Sequence, residues 1–346
     1  MSFRDFLNSA RAIAATESER VVNTVVSMAN YNSQATRDWN RIQNLQIRRA
    51  LRESITQLFD ELYYSPSRFV NHETARENGI KVLVLDLNKD GRMVAGIPYF
   101  KPRSLRWFNL HQVDPDHRGT KIQRQETERN WTAAECKAFS QSEVLSTTLC
   151  NEFSRCERIK PDESYRLDIK DQEYDLEKGY SFQETYTLEE LSGWMRKSVA
   201  EPIEDNKYIQ PTLSGNADAH TSVPEWSSAL GGAWMRDDSK PHLTFIMQHD
   251  MPPSEELLST EVMTMLGMIR GRLARHTLQE HNVVPVTAVS CMNEFAARVL
   301  QAHYSEGQLI IFKSKFYFFD NPTKRDDNIN LFVLYLASEP VGNTVG

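Results

Sequence analysis

The stretch 241-PHLTFIMQHDMPPSEELLSTEVMTMLGMIRGRLARHTLQEHNVVPVTAVSC-291 decides the fold of this chain. His242 to Gln248 reads as a strand, which Pro252 and Pro253 prevent from continuing. Ser254 to His281 reads as a long amphipathic helix. Leu258, Val262, Met265, Leu266, Ile269 and Leu273 recur at the helical repeat, so the methionines belong to a core-facing stripe. Ser254 can cap this helix, with Glu255 and Glu256 in its first turn. Arg270, Arg272, Arg275 and His276 lie toward its end, an order that complements the helix dipole. Val283 to Cys291 is apolar on both faces apart from Thr287, as in a strand covered from two sides. Pro285 implies a bulge or an edge position there. Strand, helix and strand in this order predict a buried α/β unit.

Downstream, Leu309 to Phe319 predicts another strand. Ile310, Phe312, Phe316 and Phe318 share one face, and Lys313, Lys315 and Tyr317 share the other. Between the two, Asn293 to Gly307 has two readings. Asn293 as N-cap, the alanines and the closing Gly307 suit a helix. Polar–apolar alternation and a Ser-Glu-Gly turn suit a hairpin strand.

Upstream, the first proline is Pro66 and the first glycine Gly79, so the N-terminal region predicts helices. Phe3, Phe6, Leu7, Ala10 and Ile13 form one helical stripe, and Leu51, Ile55, Leu58, Phe59 and Leu62 another. The first stripe suits docking on a protein partner or a membrane surface, or plain packing on the domain. Arg41, Arg48, Arg49 and Arg52 suit contact with an acidic surface or, as the simpler reading, a solvated face. Ile80 to Phe100 predicts a β-hairpin around Asn88, Lys89, Asp90 and Gly91. Val113 to Asn130 is polar and reads as a loop, and Trp131 to Arg155 as a helix. Thr187 to Glu190 is a capping box opening a short helix through Leu191, Trp194 and Met195. Residues 207–240 are rich in small and polar residues and mark a boundary, although Trp226 and Trp234 pin them to a neighbouring core. The expected class is α+β: a helical and mixed N-terminal domain over 1–206, a linker or packed loop over 207–240, and a C-terminal α/β unit over 241–346 with its strand–long helix–strand order.

The chain has 346 residues, 40% hydrophobic and 25% charged, with a net charge of -7. That balance suits a globular protein and does not indicate nucleic-acid binding. Cys136, Cys150, Cys156 and Cys291 form no CxxC pair and are too sparse for a disulfide scaffold, so reduced thiols are expected. No window approaches 18 apolar residues, and the N-terminus lacks the apolar core of a signal peptide. A soluble cytoplasmic or nuclear protein is the expectation.

The runs PHLTFIMQHD, VVPVTAVSC and ARVLQAHYSEGQLIIFKSKFYFF, followed by a glycine-containing tail, resemble a group of uncharacterised proteins from filamentous fungi. The resemblance covers roughly residues 241–346 and rests on overall pattern. It implies a fungal, intracellular setting and a hairpin over Ala297 to Phe312, and it implies no activity.

No GxSxG elbow, phosphate-binding loop, GxGxxG or HExxH is present. The segment Asp86-Leu-Asn88-Lys-Asp90-Gly91 matches the opening of a calcium loop, with Asp86, Asn88 and Asp90 as metal ligands. Position twelve is Ile97 where a bidentate Glu is required, and Val94 offers no side-chain oxygen, so a turn explains these residues better. His276 and His281 are five apart and point about 140° away from each other on a helix, which excludes one shared metal. Two triplets can be fitted to a magnesium-dependent nuclease: Pro115-Asp116 with Glu135 and Lys137, and Pro161-Asp162 with Asp168 and Lys170. Such triplets also arise by chance in charged chains. His249 with Asp250 ends one strand, Cys291 ends another, and His303 follows. Neighbouring parallel strands would gather these four at one sheet end as a Cys–His site. The alternative is a buried thiol and loop histidines. The cofactor, if one is used, is left open by the sequence. The leading expectation is a binding or regulatory protein, and the second an enzyme of a fungal pathway.

Overall fold

The computed structural model of the chain describes residues 33–65, 67–92, 99–135, 140–159, 185–196, 228–235 and 239–345. Its longer helices are α1 (Ser33–Tyr63), α2 (Arg118–Glu135), α3 (Gln141–Ser154), α4 (Ser259–Ala274) and α5 (Pro322–Leu336). The strands of its main sheet are β1 (Ile80–Val84), β2 (Met195–Arg196), β3 (Ser228–Met235), β4 (Leu243–His249), β5 (Val286–Met292), β6 (Ala296–Ser305) and β7 (Gln308–Lys313). They lie side by side in the order β1-β7-β6-β5-β4-β3-β2, with the short strand Tyr317–Phe318 added beside β6. β4 and β5 are parallel neighbours joined through α4, as the opening stretch requires. β1 and β7 are also parallel, and the other neighbours are antiparallel. The class is α+β.

Alternation along the strands sends successive side chains to opposite faces. Leu243, Phe245 and Met247 of β4 join Val286, Ala288, Leu300 and Ala302 on the first face. α4 covers that face through Val262, Met265, Leu266 and Ile269, with Ile55, Leu58, Phe59 and Leu62 of α1 beside it. Ile246, Val289, Cys291, Ala297 and Val299 point the other way, onto Leu145, Leu149 and Phe153 of α3 and Phe332 and Leu336 of α5. Two helical layers therefore sandwich the sheet, and β4, β5 and β6 are buried nearly throughout.

Each end of α4 is closed by a charged side chain. The Leu258 N–H donates to Glu261 Oε2 at 2.8 Å. At the other end Arg48, 3% exposed, donates to the carbonyls of Leu273, Arg275, Leu278 and His281. Arg48 is thus a buried donor gathering the carbonyls at the end of α4 and in the turn after it, and not part of a solvated face. Burial lowers its pKa to about 10, with the neighbouring Arg52 adding to the shift.

Several elements differ from expectation. α4 begins at Ser259 and not at Ser254, because Leu257–Leu258 pairs with Phe69–Val70 as a short strand. Asn293 to Gly307 adopts the hairpin alternative: β6 and β7 are joined by Glu306 and Gly307 at φ 51° and 76°, the twisted two-residue turn that suits hairpins. Ile80–Val84 does not pair with Phe100. It joins β7, while Phe100–Lys101 pairs with Glu339–Pro340. Arg118 to Asn130 is helical despite its polarity: Thr120 is buried near the start of α2, and Trp131 and Ala134 enter the apolar core at its end. The capping box is present, with Glu190 Oε2 accepting from the Thr187 N–H at 2.9 Å, but left-handed Gly193 ends the helix before Trp194. Residues 228–235 of the expected linker form β3 inside the main sheet, so the sheet draws strands from both sides of 207–240.

The contacts separate Met1–Ile47 from Arg48–Gly346. In the first unit the described residues belong to α1, where Trp39, Ile42 and Leu45 are exposed. Phe3, Phe6 and Leu7 of the expected docking stripe lie outside the described residues. No helix among the described residues is long and apolar enough to cross a membrane.

Candidate functional site

The parallel pairing of β4 and β5 brings His249 and Cys291 to the same end of the sheet but to opposite faces. Cys291 is in register with Gln248, so its side chain shares the face of Ile246 and not that of His249. His303 is at the far end, one residue from Ala302, which pairs with the start of β5. Asp250 is exposed and accepts a 2.8 Å hydrogen bond from Asn293 Nδ2. The four expected residues are therefore not gathered. Complete burial raises the pKa of the Cys291 thiol, so the protonated form persists.

His249 belongs to a buried polar group on the first face. Arg298, fully buried, donates from Nε to Glu261 Oε1 at 2.9 Å and from Nη2 to Glu261 Oε2. It also donates to the carbonyls of Ser254 and Glu256 at 2.9 and 3.0 Å, tying the loop before α4 to the sheet. Phe316 lies 4.7 Å from its guanidinium. Burial alone would raise the Glu261 pKa, but the charge and hydrogen bonds of Arg298 bring it below the ordinary value. His249 Nδ1 lies 3.3 Å from Thr260 Oγ1, and Nε2 has no partner. Burial holds this imidazole neutral, with its pKa lowered to about 4. This group is a sealed tie between strand, loop and helix.

The calcium-like segment is a turn closed on itself. Asn88 Oδ1 accepts from the Arg92 N–H at 3.2 Å, and Asn88 Nδ2 donates to the Arg92 carbonyl at 3.0 Å. Gly91 has φ +70°, and a Cβ there would meet Ser104 N at 2.9 Å. Asp90 faces Arg92 at 3.8 Å. Among the described residues no three His, Cys, Asp or Glu side chains are grouped to hold a metal. Of the nuclease triplets, Asp116 and Glu135 are described, with Asp116 paired to Lys121 at 3.0 Å. Lys137, Asp162, Asp168 and Lys170 lie outside the described residues.

Among the described residues, a second polar region lies on the other side of the sheet. A cleft of about 530 Å³ is bounded by α2, the end of α3, the start of α5 and the short helix Leu105–Leu110. At its wall is Arg158, 1% exposed. Its Nη1 donates to the His111 carbonyl at 2.9 Å, and Nη2 pairs with Glu152 Oε2 at 3.2 Å. The guanidinium lies 4.5 Å from the Phe108 ring, and Nε has no partner. Burial lowers the Arg158 pKa, and Glu152 opposes that shift. Cys156, beside it, donates from Sγ to Glu152 Oε1 at 3.5 Å; burial and then Glu152 push its thiol up to about 12. A protonated thiol is no nucleophile.

The floor is rigid. Trp131 donates from Nε1 to Thr148 Oγ1 at 2.9 Å, and Thr148 donates onward to the Val144 carbonyl at 2.8 Å. One face of the indole stacks on Phe295 at 4.4 Å, and Arg325 lies over the ring at 3.9 Å. Phe295 reaches this position from a turn in which it and Glu294 take φ of 49° and 61°, a conformation costly for such residues. Arg124, Glu128 and Asp326 complete the charged rim. The arrangement suits binding: a fixed aromatic floor, a buried donor and charges of both signs.

Sequence reasoning did not single out Arg124, Arg158, Arg325 or Asp326. The only local signal was an arginine beside Cys156 and Ile159, an ordinary neighbourhood for any surface arginine. Compared with known proteins, no family model, no curated protein and no solved structure matches the chain.

Proposed function

We propose that this chain is a binding or regulatory protein whose small ligand is held in the cleft beside Arg158. The observation that supports this is the unpartnered Nε–H of an almost fully buried guanidinium lining a cleft of about 530 Å³. A buried donor without a partner is unfavourable, and a ligand acceptor at that point would relieve it. A cytoplasmic or nuclear, filamentous-fungal setting is part of this reading and rests on composition and the C-terminal resemblance. Native mass spectrometry of the protein purified from its own source tests it. The expected result is a small molecule retained at one copy per chain and lost from Arg158→Lys. A ligand-free chain whose melting temperature no metabolite mixture raises would overturn it.

A second reading, docking on a protein partner through the N-terminal region, is favoured by the exposure of Trp39, Ile42 and Leu45 on α1. Loss of partner capture on Phe6→Asp supports it, and unchanged capture removes it.

A further inference from the structure

We infer that the ligand of the cleft is a small zwitterion, an α-amino acid with an apolar side chain. The inference rests on the reading of the cleft as a ligand site and adds the class of ligand.

The charges of the cleft are balanced. Arg124, Arg158 and Arg325 line it against Glu128, Glu152 and Asp326. Arg158 and Glu152 neutralise one another at the inner wall. Arg124, Glu128 and Asp326 form no ion pair among the described residues, and all three are exposed. Arg124 and Glu128 are four apart on α2, so they share one face of that helix. Asp326 is the fifth residue of α5, a different element that also lines the cleft.

This pattern discriminates between ligand charges. A simple anion would find Arg124 and the buried, unpartnered Nε–H of Arg158, but would also meet Glu128 and Asp326. A simple cation would find the two carboxylates and meet the arginines. A molecule carrying both charges a few bonds apart satisfies both sets: its carboxylate accepts from Arg158 Nε and Arg124, and its ammonium faces Glu128 and Asp326. Arginine presents N–H donors in the fixed geometry that a carboxylate matches. Phe108 and Ile329 add apolar wall to the same cleft, which suits an apolar side chain.

The test is calorimetric titration of the full chain with L-leucine and L-phenylalanine, alongside leucinamide, isocaproate and inorganic phosphate. Leucinamide lacks the carboxylate, isocaproate lacks the ammonium, and phosphate is a plain anion. The expected result is binding of an intact amino acid with none of the three controls within about tenfold of its affinity. Arg124→Ala and Asp326→Asn, both exposed and neutral for folding, each weaken that binding about tenfold or more. Arg158→Met is the stronger variant but removes ties to His111 and Glu152, so the rim variants decide. Isocaproate or phosphate binding as tightly as leucine overturns the zwitterion and leaves the cleft as an anion site. Leucinamide binding as tightly overturns it in favour of a cation site. Failure of every probe overturns the ligand class, while retention of another molecule in native mass spectrometry still supports the cleft itself.

Discussion

At the scale of single residues, the buried arginines carry most of what the fold adds to the sequence. Arg298 and Glu261 are both fully buried, and each compensates the other. Removing one partner of such a pair strands a charge in a poorly polarisable interior. Arg298→Met is expected to cost about 3–5 kcal/mol in urea unfolding, and Arg298→Met with Glu261→Gln clearly less than the sum of the two single changes. Additive costs would show that the pair is not coupled. The thiols permit a second measurement. Cys150, Cys156 and Cys291 are unbonded and buried, and burial raises the pKa of each. In a Cys136→Ser background, no thiol is expected to react with an aromatic disulfide at pH 8 until the chain unfolds. Fast native-state labelling would contradict that. The capping box at Thr187 and Glu190 was legible in the sequence because its partners are three residues apart. Arg298, Arg158 and Arg48 were not, because their partners are 37 or more residues away for Arg298, 47 away at the His111 carbonyl for Arg158, and more than 200 away for Arg48.

At the scale of elements, the helix after β4 was foreseen, and its boundaries were not. Its apolar stripe identified it, but Leu257 and Leu258 belong to a strand pair with Phe69 and Val70. Its C-terminal end leans on Arg48, which donates to four carbonyls there; those of Arg275 and Leu278 also accept from the Leu278 and His281 N–H groups, so Arg48 adds a second donor to these two. Arg48→Met is expected to cost about 2–4 kcal/mol. Amide hydrogen exchange is expected to quicken first between Ala274 and His281, and uniform quickening over the whole chain would argue against a capping role. α5 was not read from the sequence, although Asn321 followed by Pro322 is a recognisable start. Asn321 Oδ1 accepts from the Thr323 N–H at 2.9 Å, and the proline occupies the first turn, where its missing N–H costs nothing.

At the scale of the whole molecule, stability carries a pH signature. His242, His249 and His303 are each held at about 4, in every case because burial disfavours the charged ring. An unfolded chain takes up these protons near the ordinary value of 6.5, and the folded chain does so only near 4. Between those values the unfolded state binds more protons, so stability falls as pH falls, by up to about 1.4 kcal/mol per pH unit for each histidine. Above pH 7 the three contribute no slope. Glu261, held below its ordinary 4.5, adds stability that is lost as pH drops further below that value. The melting temperature is therefore expected to be flat between pH 7 and 8 and to fall steadily from pH 6.5 toward 4. An unchanged melting temperature between pH 7 and 5 would show that these rings are not buried neutral. Two of them, His242 and His303, flank Tyr99, with ring centroids at 6.5 and 4.8 Å. Replacing either with Phe is expected to lessen the slope.

The sequence by itself determined the α+β class, the β4–α4–β5 order and the capping box at Thr187. Each of these rests on periodicity or on partners within one or two turns of chain. The tertiary structure decided the order of the sheet, the face onto which His249 and Cys291 turn, the hairpin over Ala296–Lys313 and the cleft around Arg158. The physical reason is distance along the chain. A strand's face and neighbours are set by which apolar surface it can bury, and the groups lining the cleft come from α2, α3, the segment after α3 and α5, elements that no local pattern relates to one another.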